Sequence, residues 1–169
     1  MYYVNVSNLQ QMNGIYVHHI TEGMHEYLYY VLEGTMDQHY ALLAGLASLS
    51  ESQSSFGDFY YKRINSSNIE LIKKQLTTEE SALLDKLIKE GYNLKTEEEF
   101  LLVELTEDIL KLLLKISYQE YLFSSFYFTH LPCTIWSNYK GRFILFAREQ
   151  EQCDQVLKLA NEIGLLIEW

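Results

Sequence analysis

Apolar residues recur along this chain with two different periods, and the switches between them outline its elements. Tyr2–Val6 and Ile15–Ile20 are β-prone, and Asn13-Gly14 between them has turn chemistry, so a small hairpin is predicted at the start. Thr21 is placed to cap a helix running to about Leu32, with Gly34 ending it. Thr35 then caps a second helix, in which Met36, Tyr40, Leu43 and Ala47 recur at helical spacing. The Ser/Gln/Gly-rich stretch Ser48–Asp58 reads as a loop.

Beyond that stretch the signals sharpen. Ser67-Asn68-Ile69-Glu70 has the form of a capping box, and Thr77-Thr78-Glu79-Glu80 repeats it. Leu83, Leu84, Leu87 and Ile88 follow, with Gly91 expected to close that helix. Phe100–Leu105 fits a buried strand, with Thr106-Glu107-Asp108 starting a helix through Ile116. The competing pattern is one long helix, because Leu101, Leu105, Ile109, Leu112 and Ile116 share a helical face; the acid-rich start at Thr106 favours the strand. Strands are predicted over Leu122–Thr129, Cys133–Ser137, Phe143–Phe146 and Leu165–Trp169. A helix from about Glu149 to Ile163, stopped by Gly164, precedes the last of them.

The expected fold class is therefore α+β. A helical N-terminal part with a small hairpin joins a C-terminal split βαβ, ferredoxin-like antiparallel sheet with packed helices. Residues 1–169 are expected to form one domain. The candidate subdomains are 1–95, mainly helical, and 96–169, carrying the β-α-β-β-α-β order.

Composition narrows the function classes. The chain has 169 residues, 48% hydrophobic, with 8 Gly, one Pro and two Cys, which excludes disordered, collagen-like and disulfide-framework proteins. A net charge of −10 argues against nonspecific nucleic-acid binding and against anionic membranes. The first residues lack a basic region followed by an apolar run, and the uncharged stretch Tyr121–Tyr139 is interrupted by His130 and Pro132. A cytoplasmic protein with reduced Cys133 and Cys153 is expected.

Charge is unevenly spread: the first Lys or Arg is Lys62, and residues 1–61 hold nine of the 14 tyrosines and four of the five histidines. Acidic residues among amphipathic rings suit a cationic partner through charge complementarity and cation–π contact. The leading expectation is a non-catalytic binding protein whose acidic, Tyr-rich surface engages a basic protein partner or forms a homo-oligomer. Glu22, Glu26, Tyr29, Tyr30, Glu33, Asp37 and Tyr40 are its candidate binding residues.

The alternative is a metal- or small-ligand-binding domain, with enzymatic chemistry open to it. Glu22 and His25 have the Glu-x-x-His spacing of carboxylate-bridged sites. Asp37 and His39 on the next helix would supply a second arm for a divalent first-row metal. His18 and His19, on a strand, would point to opposite sides. No HExxH, GxSxG, GxGxxG or phosphate-loop motif is present, so no cofactor is expected under the leading reading.

Overall fold

The computed structural model of the chain describes residues 1–49, 54–94 and 97–169. Tyr3–Val4 is β1, and Val6–Gln11 is α1, capped by Asn5, whose side chain accepts from the Asn8 amide. Helix α2 is Ile20–Glu26, strand β2 Leu28–Glu33, helix α3 Met36–Ser48 and strand β3 Ser55–Phe59. A 3-10 turn at Tyr61–Arg63 leads to α4, Ser66–Lys73, and α5, Thr78–Leu94. Then come β4, Leu101–Glu104; α6, Glu107–Tyr118; β5, Ser125–Phe128; β6, Cys133–Trp136; and β7, Arg142–Ala147. Helix α7, Gln150–Ile163, and β8, Leu166–Glu168, complete the chain.

Among the described residues there are seven α-helices and an eight-stranded antiparallel sheet of order β1-β4-β3-β5-β6-β7-β2-β8. The α+β class holds, but the sheet departs from a ferredoxin-like one. Strand β3 lies between β4 and β5, and β2 lies between β7 and β8, so the N-terminal half supplies two interior strands. The predicted N-terminal hairpin does not form: residues after β1 turn into α1, and Ile15 and Val17 pack on the sheet without joining it.

The alternation along each strand divides the core in two. One face buries Leu32, Phe59, Val103, Phe126, Phe128, Ile135 and Leu145 against α3, α5, α6 and α7. The other face carries Phe56, Leu102 and Tyr127 under Leu9 of α1, and Ile144 and Phe146 under Ile15, Val17 and α2. The opening segment, 1–26, is thus a cover for the second face.

Several local expectations hold for the expected reasons. Thr35 and Gln38 complete a capping box on α3, and Thr77 and Glu80 exchange side-chain-to-amide bonds at α5. Thr106 caps α6 by accepting from the Ile109 amide, so Phe100–Leu105 contributes a strand and not the start of a long helix. Gly164 closes α7 with φ +87°, in the left-handed region that glycine takes without a Cβ penalty.

Others are corrected. The helix predicted from Thr21 to Leu32 stops at Glu26, because the aromatic and β-branched run that follows pairs with β7 at six successive positions. The predicted loop Ser48–Asp58 contains β3; its positions 50–53 lie outside the described residues. Asn65, and not Ser67, caps α4. Gly91 does not end α5: a Cβ there would come within 2.5 Å of the Tyr61 ring, so it marks close packing inside the helix.

Candidate binding cleft

Between the opening segment and the chain just before β4, the second face of the sheet is left partly uncovered. A cleft of about 710 Å³ opens there, walled by Tyr16, Tyr60, Phe100 and Trp136. Each wall comes from a different part of the chain: Tyr16 from the extended segment after α1, Tyr60 from the end of β3, Phe100 from the entry to β4, and Trp136 from β6. Three of these rings brace one another. Tyr16 stacks on Phe100 at 5.9 Å between centroids and on Tyr127 at 6.2 Å, and Tyr60 lies 5.1 Å from Phe100.

The polar rim is built by Arg63, Glu98, Glu99, His18 and His19. Residues 97–100 are tied to the 3-10 turn: the Tyr61 hydroxyl donates to the Glu98 carbonyl at 3.3 Å, and the Lys62 amide donates to the Glu99 carbonyl at 3.4 Å. Arg63 lies over the Tyr60 ring, its guanidinium carbon 4.2 Å from the centroid, and its Nε is 3.3 Å from a Glu99 carboxylate oxygen. The His18 and His19 rings sit edge to face, 4.4 Å apart, and both border the cleft. They do not face opposite sides, because no strand forms at 15–20. A second lobe of about 370 Å³ continues past Ile20, Tyr60, Arg63 and Trp136 towards Phe123 and Tyr139.

Beneath the aromatic wall lies Asp58, fully buried on β3. One carboxyl oxygen accepts the Ser125 amide at 2.6 Å, and the other accepts the Tyr127 hydroxyl at 2.8 Å. Burial dominates these bonds and pushes the carboxyl up to about 7, while the Ser125 and Tyr127 donors and Arg63 pull the other way. Burial, and then the proximity of Asp58, raise Tyr16 to about 12 and hold Tyr60 and Tyr127 above the ordinary phenol range.

No family model matches this chain, and neither a curated protein nor a solved structure is significantly similar to it.

The candidate residues from the sequence divide between the two sides of the sheet. Glu22 and Glu26 are exposed on α2, on the cleft's side. Tyr29 and Glu33 share that side, since they stand opposite Phe146 and Arg142 in the β2–β7 register. Arg142 pairs with Glu33 at 3.4 Å and also with Glu168. Tyr30 points to the other side, where its hydroxyl accepts from Gln150 of α7 at 3.2 Å. Asp37 and Tyr40, on α3, are also there; Lys111 lies 5.6 Å from the Tyr40 ring centroid.

The four residues of the metal reading lie apart. His25 is exposed on α2, whereas His39 is buried beneath the opposite face, stacked on Phe143 at 3.9 Å. Both His39 nitrogens are engaged: Nε2 donates to the Leu32 carbonyl at 3.1 Å, and Nδ1 is 2.6 Å from the Tyr118 hydroxyl. Glu22, His25, Asp37 and His39 therefore do not converge. Among the described residues no group of three or more His, Cys, Asp or Glu is arranged to hold a metal ion. No helix among them is long and apolar enough to cross a membrane.

Sequence reasoning missed Tyr16, Tyr60, Phe100 and Trp136 as a set, because only the fold brings them together. One signal was present: Asp58 is a lone acid inside the aromatic run Phe56–Tyr61, a pattern that implies a buried carboxyl.

Proposed function

We propose that this chain is a non-catalytic, cytoplasmic binding protein that engages a basic protein partner through the aromatic cleft and the carboxylates beside it. The observation that carries the reading is the Arg63 guanidinium already resting between the Tyr60 face and the Glu99 carboxylate at the cleft rim. A site that satisfies a cation of the chain itself has the chemistry to take another. Three braced rings and the Trp136 indole supply apolar contact at little entropic cost, and the net charge of −10 favours approach of a basic surface. Glu22 and Glu26 extend the negative potential on the same side; Asp37 and Tyr40 take no part in it. Two buried free thiols support a reducing compartment.

The test is calorimetric titration with a synthetic arginine-rich peptide, repeated at low and high salt. Binding that weakens with salt, fails in Glu98→Lys/Glu99→Lys and persists in Asp37→Lys supports the reading. Equal loss in Asp37→Lys, or binding indifferent to the Glu98 and Glu99 reversals, overturns it.

A further inference from the structure

We infer that Arg63 is an internal occupant of a guanidinium-recognising subsite, and that the partner presents an arginine which takes its place. The inference rests on the binding reading above and makes the partner's chemistry specific.

The two halves of the contact are held unequally. The platform is fixed. Tyr60 is backed by Phe100 at 5.1 Å, and Phe100 is itself stacked on Tyr16, which stacks on Tyr127. The cation is not: the Arg63 side chain is 60% exposed and the Glu99 side chain 61% exposed, and their pairing is a single contact at 3.3 Å. Exposed ion pairs of this kind exchange readily with solvent and with competitors. A rigid ring with a carboxylate at its edge is thus paired with a loosely tethered occupant.

The geometry selects guanidinium over ammonium. A planar, weakly hydrated guanidinium can offer a face to a ring and an N–H to a carboxylate together, and Arg63 contacts the Tyr60 ring and the Glu99 carboxylate at once. A lysine ammonium is a compact, strongly hydrated charge with no face to stack. The second lobe of the cleft begins at Arg63 itself, so a displaced side chain has space to swing into.

The experiment uses the full chain and two capped amino acids, N-acetyl-arginine amide and N-acetyl-lysine amide, followed through the Trp136 indole resonance. Removing a competing occupant worth an exposed ion pair and a cation–π contact should tighten arginine binding about three- to tenfold in Arg63→Ala. The lysine probe should bind more weakly than the arginine probe, and the gain should vanish in Arg63→Ala/Glu99→Gln. Arg63→Gln serves as the second variant if Arg63→Ala melts early. Equal arginine affinity in the wild type and both Arg63 variants overturns the occupant inference while leaving the binding reading standing. Equal affinity for the two probes overturns guanidinium selectivity. If neither probe moves the Trp136 signal in any variant, while the arginine-rich peptide also fails to bind, both readings fall together.

Discussion

Replacing Asp58 by Asn tests the electrostatics under the cleft. The side chain is fully buried, and its carboxyl is pushed up to about 7 by burial, against an ordinary value of 3.8. The folded chain therefore holds this proton over a range in which the unfolded chain has released it. Stability from this group is complete below about pH 4 and is lost as pH rises towards 7, at about 1.4 kcal/mol per pH unit. Asparagine keeps an oxygen to accept the Ser125 amide and offers an N–H to the Tyr127 oxygen, without a charge to bury. Urea denaturation of both proteins at pH steps from 4.5 to 8 gives the difference in unfolding free energy, in which every other titrating group cancels. That difference should shift in favour of Asp58→Asn by about 3 kcal/mol between pH 4.5 and 7 and then level off. A difference that stays constant across the range would mean that Asp58 is ionised inside the fold, and the account of the buried carboxyl would be wrong.

Three further outcomes follow from the packing. His39 is lowered to about 4 by burial, against the Leu32 and Thr35 hydrogen bonds, so the unfolded chain binds the proton first on acidification. Its contribution is present above pH 6.5 and disappears by about pH 4, opposite in sign to that of Asp58; His39→Gln should remove about 3 kcal/mol of that pH dependence in the same denaturation series. Gly91→Ala drives a Cβ to within 2.5 Å of the buried Tyr61 ring and should cost about 1–3 kcal/mol, read as a lowered urea midpoint. Thr106→Ala leaves the Ile109 amide without its cap and should cost about 1 kcal/mol, with Thr106→Ser restoring most of it.

What was legible in the sequence was local. Thr35, Thr77 and Thr106 announced their helices, and Gly164 its helix end, because a cap is a contact between residues a few positions apart. The strands from β4 onward were readable from short apolar runs between turn signals. Strand β2 was misread because Tyr27–Glu33 follows a good helix start; only pairing with β7 makes that run a strand. Strand β3 was hidden by Gly57 and Asp58, residues with poor strand propensity. Gly57 is required there because a Cβ would lie 2.6 Å from Leu113 of α6.

The site was less legible for the same reason. Treating the cation-free opening segment as one face ignored the period of a strand, which sends Tyr29 and Tyr30 to opposite sides of the sheet. It also let two consecutive helices bring His25 and His39 to one ion, when α2 and α3 lie on opposite faces of the sheet. The cleft joins positions 16, 60, 100 and 136, and such separations leave no trace in spacing.

The most direct test of the binding account is a chemical-shift map of the isotopically labelled protein as an arginine-rich peptide is added. The account predicts that shifts concentrate at Tyr16, Tyr60, Arg63, Phe100 and Trp136, with Asp37 and Tyr40 unmoved. Shifts centred on α3, or a map with no change around Trp136 at saturating peptide, would contradict it.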